Sequence, residues 1–272
     1  MKLVISNIAW TNEEETKIAI LLQKLGVRYI EIALTKKWND PTTASAEEVN
    51  AYKTFWKDHG IEVVAFQSML YSRPNFQIFG SEQNRQKTLD YLIKFMRLAS
   101  DFGAKAMVFG SPKNRQRGEM PFETAKVLAE QFFDQLGTAA QEHGTTLCLE
   151  PNAPQYGCDF ITNAAQGIEV VKAVNNPGFR LHLDMGCMVL AGDDIQKSIV
   201  ASAPYLEHFH ISSPMLEQVE SRSDCDHDEA AAALREIGYD RFVSIEMRPS
   251  EAGTNINRVE RAVKFAQATY SS

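Results

Sequence analysis

The chain has 272 residues, 44% of them hydrophobic and 23% charged, with 15 Gly and 10 Pro, a globular composition long enough to bury a large core. Its 28 Lys+Arg against 35 Asp+Glu leave a net charge of −7, which argues against a nucleic-acid partner. The first apolar stretch, Leu3 to Ile8, is broken by Ser6 and Asn7; it falls far short of the ~20 residues that span a bilayer, so the expectation is no membrane partner and a cytoplasmic location.

Taken in chain order, short apolar and β-branched runs recur at Leu3–Ala9, Tyr29–Leu34, Ile61–Ser68, Ala106–Gly110, Thr145–Glu150, Phe179–Asp184, Leu206–Ile211 and Phe242–Met247. These read as eight strands. Between them lie segments with helical apolar spacing. Thr16-Ile18-Ala19-Leu21-Leu22-Leu25 closes on Gly26, and Val127-Leu128-Phe132-Leu136 precedes the Gly144 turn, as helices with C-terminal glycines do. Glu13-Glu14-Glu15 reads as a solvated first turn in which acid complements the helix dipole. Eight units share 272 residues at 34 each. Strict strand–helix alternation predicts a parallel sheet with helices outside, and eight units close a barrel, so residues 1–272 are expected to form one (β/α)8 TIM-barrel domain. A doubly wound open sheet would carry a Gly-rich turn after its first strand, and Asn7-Ile8-Ala9-Trp10-Thr11 has no glycine. The four cysteines, Cys148, Cys158, Cys187 and Cys225, form no Cys-x-x-Cys pair and read as reduced thiols.

Ionisable residues within or at the ends of such strands must justify their desolvation. Glu150, Asp184, His210 and Glu246 end four consecutive runs, separated by 34, 26 and 36 residues, close to one strand–helix unit each. Equivalent heights on strands five to eight bring them together at the C-terminal mouth. Three carboxylates and an imidazole gathered there repel without a cation between them. Three oxygens and one nitrogen with no thiolate suit Mn²⁺ first, then Mg²⁺ or Co²⁺, with Zn²⁺ also accommodated.

The motifs Leu149-Glu150-Pro151-Asn152, His182-Leu183-Asp184, His208-Phe209-His210 and Ser244-Ile245-Glu246, with Gly238-Tyr239 before the last strand, resemble the xylose-isomerase-like barrels over almost the whole chain. That group includes ketose 3-epimerases, hydroxypyruvate isomerase, inosose dehydratase and apurinic endonucleases. The resemblance implies that Glu150, Asp184, His210 and Glu246 hold a divalent metal and that Glu150 and Glu246 are also the catalytic acid–base pair. The chain departs from the ketose 3-epimerases at Cys187, where they carry His, at Tyr156, where they carry Glu, and at Ile211–Leu216, where they place an Arg. The resemblance thus implies a retained metal centre with altered sugar-hydroxyl contacts.

Loops at the same face add cations. Arg73 follows strand three, and Lys113, Arg115 and Arg117 follow strand four; they are candidates for receiving a phosphate or carboxylate, against the alternative of a solvated loop. Arg248 shares the alternation of Glu246 and Glu31 interrupts strand two, so both can face the mouth; Gln67 ends strand three. His182 and His208 lie one layer below the ligands, to support a ligating carboxylate or touch substrate. Cys187 and Cys158 lack a Cys-His-Asn arrangement, Asp226 reads as an N-cap, and Met185, Met188 and Phe76–Phe79 wall the pocket or an oligomer contact. The expected activity is metal-dependent isomerisation or epimerisation of a sugar, sugar acid or sugar phosphate through an enediolate. Loss of a β-hydroxyl from the same intermediate makes a dehydratase the alternative; apurinic-site cleavage and non-catalytic sugar binding are remoter ones.

Overall fold

The computed structural model describes residues 1–221 and 224–270. Among them are eight strands, β1 (Lys2–Ser6), β2 (Tyr29–Ile32), β3 (Glu62–Phe66), β4 (Ala106–Phe109), β5 (Thr146–Leu149), β6 (Phe179–Asp184), β7 (Leu206–Ser212) and β8 (Phe242–Glu246). Each is parallel to the next in chain order, and β8 returns to β1, closing a TIM barrel. The main helices, among them Glu15–Lys24, Glu82–Phe102, Phe122–Glu142 and Asn255–Tyr270, cover the outside. All eight strands fall on the runs marked in the sequence, and most stop earlier. β1 ends where the Ser6 hydroxyl accepts the Ile8 amide at 3.4 Å and Asn7–Ala9 winds into a 3₁₀ turn.

Two compartments result from strand alternation. Outward side chains such as Phe66, Phe109, Leu149, Phe209 and Ile245 join the helices in one apolar core; within it the Phe133 and Phe179 rings stack 4.6 Å apart. The lumen is divided. Ala65, Ala106 and Cys148 form a small separate cluster on the side of β3 to β5, whereas Ser6, Glu31, His182, His208, His210 and Ser244 bury polar groups on the side of β6 to β2.

Two outward expectations fail. In Phe122–Glu142 the buried stripe is Ala125, Ala129, Phe132, Phe133, Leu136 and Ala140, leaving Val127 54% exposed. Of the acidic trio only Glu13 faces water. Glu15 accepts the Tyr52 hydroxyl at 2.6 Å, and Glu14 is buried because it joins the two ends of the chain: it accepts from the Thr11 amide at 3.0 Å, the Gly253 amide at 2.8 Å and the Asn255 side-chain amide at 2.8 Å. Met185 and Met188 are core residues rather than pocket wall.

Charged acceptors bonded in this way typically contribute ~1.5–3 kcal/mol each. Glu14→Ala is therefore expected to lower stability by about 3 kcal/mol, read as a drop in the denaturant midpoint; a change under about 0.5 kcal/mol would show that the clasp between the loops after β1 and β8 is dispensable.

Candidate metal centre and active site

Glu150, Asp184, His210 and Glu246 converge as their spacing predicts: one ligand atom from each lies within 4.8 Å of the others, and all four residues are buried. The strands supply the placement. Asp184 pairs with His210 across β6 and β7, and Ser212 with Glu246 across β7 and β8. Asp184 divides its two oxygens. Oδ1 accepts the Cys187 amide at 2.6 Å and caps the helix Met185–Ala191, while Oδ2 is buried with no hydrogen-bond partner.

His210 joins the four to the lumen. Its Nδ1 lies 3.2 Å from Glu246 and 3.7 Å from Asp184. Its Nε2 lies 2.9 Å from Glu31 Oε2, which also accepts from the Ser244 hydroxyl at 2.6 Å. Burial opposes ionisation of Glu31, yet His210 and His208 and the bonds from His210 and Ser244 outweigh it and hold the carboxyl down to about 2. An anionic Glu31 fixes the proton on Nε2 and leaves Nδ1 facing the carboxylates. Burial also opposes charge on His210, but Glu31 and Glu246 drive its value well above the usual one. Burial followed by the Asp184 and Glu246 charges pushes Glu150 up to about 8, and burial with Glu246 pushes Asp184 up to about 6.

These features fit a divalent cation: an orphaned buried oxygen on Asp184, a His210 ring held by Glu31 with Nδ1 turned to the carboxylates, and two carboxylates, Glu150 and Asp184, whose ionisation burial and their neighbours resist. The donor set is hard oxygen plus imidazole, as for Mn²⁺, Mg²⁺, Co²⁺ or Zn²⁺.

Arg115 is fully buried, and its five N–H donors meet five oxygens: Gly110 O at 2.7 Å, Glu150 O at 2.7 Å, Asn152 Oδ1 at 2.8 Å, Ile161 O at 3.1 Å, and Phe160 O. No donor remains for an anion, so its assignment to substrate is corrected. Arg115 cross-links the loops after β4 and β5 behind Glu150. Gly110 completes that support, since a Cβ there would lie 2.1 Å from Glu150 Oε2. Sequence reasoning passed over Gly110 and the bonding role of Asn152; Gly110 was legible as the inward position two residues beyond Val108.

A cavity of about 710 Å³ opens above the four residues, with Glu150, Asp184, Glu246, Asn152 and Cys187 in its floor and Gln67, Arg73, Lys113 and Tyr156 on its walls. Several other expectations change. Glu31, His182 and His208 lie below the cavity: the two histidines meet at 3.3 Å between Nδ1 atoms, and the His182 ring packs edge-on 4.1 Å from that of His210, so none reaches substrate. Arg248 is exposed and off the cavity wall because β8, and with it strict alternation, stops at Glu246. Arg117 donates to Asp159 O at 3.2 Å and Met120 O at 2.7 Å. Burial, then Asp184 and Glu150, raises the Cys187 thiol, which lies 4.0 Å from Glu150 Oε1; a neutral thiol is no nucleophile. Asp226 is an N-cap, accepting the Glu229 amide at 2.9 Å. No helix among the described residues is long and apolar enough to cross a membrane.

A family model described as xylose isomerase-like TIM barrel matches residues 20–268. Among solved structures, D-psicose 3-epimerase from Clostridium cellulolyticum H10, crystallised with D-tagatose, superposes with a TM-score of 0.82 at 18% identity, covering 99% of each chain. The 3-keto-D-glucoside 4-epimerase of E. coli gives 0.78 at 17% identity, over 97% of this chain and 99% of its own. The IOLI protein with a bound zinc atom gives 0.80 at 20% identity, over 100% and 98%. No curated protein sequence matches the chain. At these identities the superpositions show a shared fold.

Two outcomes follow from the site. Gly110→Ala should displace the Glu150 carboxylate and weaken Mn²⁺ binding by roughly 10–100-fold with the circular dichroism unchanged, since the backbone at 110 is not left-handed; unaltered affinity in calorimetry would remove Glu150 from the ligand set. The second concerns pH. Glu150, up at about 8 against 4.5, gives stability that is complete below 4.5 and lost as pH rises towards 8, and His210, raised above 6.5, acts in the same sense above that pH. The metal-free protein should therefore lose thermal stability between pH 6.5 and 8, and saturating Mn²⁺ should restore more at pH 8 than at 6.5 because metal competes with protons. A flat metal-free profile would contradict this.

Proposed function

The chain belongs to the xylose isomerase-like TIM barrel family, and on that premise we propose that it is a divalent-metal-dependent sugar isomerase or epimerase in which Glu150, Asp184, His210 and Glu246 hold the metal and Glu150 and Glu246 move the proton. The observation that carries this reading is the convergence of one atom from each of the four residues within 4.8 Å, three of them, Glu150, Asp184 and Glu246, lining a cavity of about 710 Å³. It is supported by fold likeness to epimerases of keto sugars. Mn²⁺ is the favoured ion; the zinc on the IOLI protein makes Zn²⁺ the first alternative.

When bound, the cation polarises a substrate carbonyl and its neighbouring hydroxyl and favours enediolate charge. The chain supplies the rest. A carboxylate placed over the adjacent C–H removes the proton, and Glu150 and Glu246 enter from β5 and β8, separated by two intervening strands, which suits delivery and removal at different faces. Inversion follows when one carboxyl takes the proton and the other returns one; isomerisation follows when a single carboxyl shuttles it between neighbouring carbons. Arg115 and Gly110 keep Glu150 in place, and Glu31 holds the His210 ring. Tyr156 stands on the cavity wall with its oxygen accepting the Met215 amide at 2.9 Å. Burial, followed by Asp184 and other neighbours, raises its value, so its own proton remains available to a substrate oxygen.

The test is solvent-deuterium incorporation into a panel of keto sugars with Mn²⁺ added. Exchange at a carbon next to the carbonyl is expected, and Glu150→Gln or Glu246→Gln, each saturated with metal, should lose about 10²-fold or more in rate. Near-wild-type exchange in either variant would remove that residue from proton transfer, and no metal-dependent exchange across the panel would overturn the assignment.

A further inference from the structure

The layer beneath Glu150, Asp184, His210 and Glu246 holds nitrogen donors that the proposed reaction does not use. His182 and His208 pair directly across β6 and β7, and both rings are fully buried in the lumen. Each ring has the other as its hydrogen-bond partner, Nδ1 to Nδ1 at 3.3 Å, while both Nε2 atoms are buried without one. Glu31 Oε1 in the same layer is also buried and unpartnered. Buried polar groups are ordinarily satisfied, and a half-bonded imidazole pair costs more than an apolar pair of the same shape, so the arrangement calls for an occupant.

A third imidazole joins the pair. His182, His208 and His210 each bring one nitrogen within 4.8 Å of the other two, and the His182 and His210 rings meet edge-on at 4.1 Å. Nitrogens that lie about 2.0–2.1 Å from a tetrahedral zinc stand about 3.3 Å from each other, which is the separation of the two Nδ1 atoms. The pair is thus already spaced for an ion. On binding, the proton between the rings moves to the Nε2 of its own ring, and both imidazoles stay neutral.

Donor chemistry separates this group from the one above it. Three carboxylates with one imidazole suit a hard ion such as Mn²⁺, whereas three imidazoles suit a borderline ion. We propose that His182, His208 and His210 form a second, inner cation site in the barrel lumen, selective for Zn²⁺ or a similar borderline ion and separate from the oxygen-rich site at the cavity floor. The Glu31 carboxylate, 2.9 Å from His210 Nε2, supplies the negative charge that a buried dication needs. His210 belongs to both groups. Two dications drawing on one ring repel each other, so the second ion binds more weakly than the first.

The test counts metal on the purified protein, by calorimetric titration and by metal analysis after gel filtration. Wild type should take up one Mn²⁺ but two Zn²⁺ per chain. The double variant Glu150→Gln, Glu246→Gln should lose the Mn²⁺ and keep one Zn²⁺, whereas His208→Gln and His182→Gln should each keep one Mn²⁺ and lose one Zn²⁺. A single Zn²⁺ on the wild type overturns the inference, and so does a second Zn²⁺ that survives both histidine variants, which marks a surface site. Loss of Mn²⁺ with unchanged Zn²⁺ uptake in those variants assigns the two rings to supporting His210 and overturns it as well. Cobalt gives a readout that needs no variant. The second Co²⁺ equivalent should show the strong visible absorption of a four-coordinate nitrogen site; the weak absorption of a six-coordinate oxygen site contradicts the proposal.

Discussion

Three carboxylates buried around one imidazole are the constraint on which the rest of the molecule depends. Burial and the neighbouring carboxylates resist ionisation of Glu150 and Asp184, pushing them up to about 8 and about 6. A protein can relieve such a cluster by protonation or by a cation. The structure prepares for the cation: the Asp184 oxygen not used in capping has no partner, and Glu31 fixes the His210 ring from behind at 2.9 Å. Glu31 is itself stabilised by the imidazole charges, so the inner layer of the barrel holds an anion that keeps the ligand layer in register.

The same constraint explains Arg115. A fully buried guanidinium is costly unless each donor is satisfied, and here five oxygens from the loops after β4 and β5 do so. Two of those acceptors are the Glu150 carbonyl and the Asn152 side chain, on either side of Pro151. The cation thus stiffens the segment that carries Glu150 without approaching its carboxylate. Gly110 leaves the space on the other side, at 2.1 Å for any added Cβ.

The fold was legible because both of its signals are periodic. Recurring apolar runs, whose starts lie 26 to 45 residues apart, gave all eight strands, and an acid or histidine at the end of four of them gave the centre, since a parallel strand buried on both faces tolerates such residues only for a reason. What stayed hidden depended on side-chain bonding rather than on pattern. Arg115 and Arg117 read as a solvated or anion-binding loop because the fate of a charge is decided by the acceptors around it, and those come from residues 110, 120 and 150 to 161. Glu14 read as a solvated first-turn acid because its partners Gly253 and Asn255 lie at the far end of the chain. Arg248 was misplaced by extending strand alternation two residues beyond the end of β8.

The barrel divides its labour by strand. β5 to β8 supply the four candidate ligand residues, and the polar lumen layer beneath them runs from β6 round to β2, so the charged groups support one another at short range. β3 to β5 fill their side of the lumen with Ala65, Ala106 and Cys148, which need no polar partner. The loops above β3 and β4 hold the left-handed Ser68, Ser72 and Ser111 and the exposed Tyr71. Across the cavity stand the helix that Asp184 caps and the Ser213–Pro214 backbone, packed against Gly186 at 2.7 Å from any added Cβ. The buried charges and the exposed cavity wall thus stand on different strands, so the wall can change without disturbing the charges.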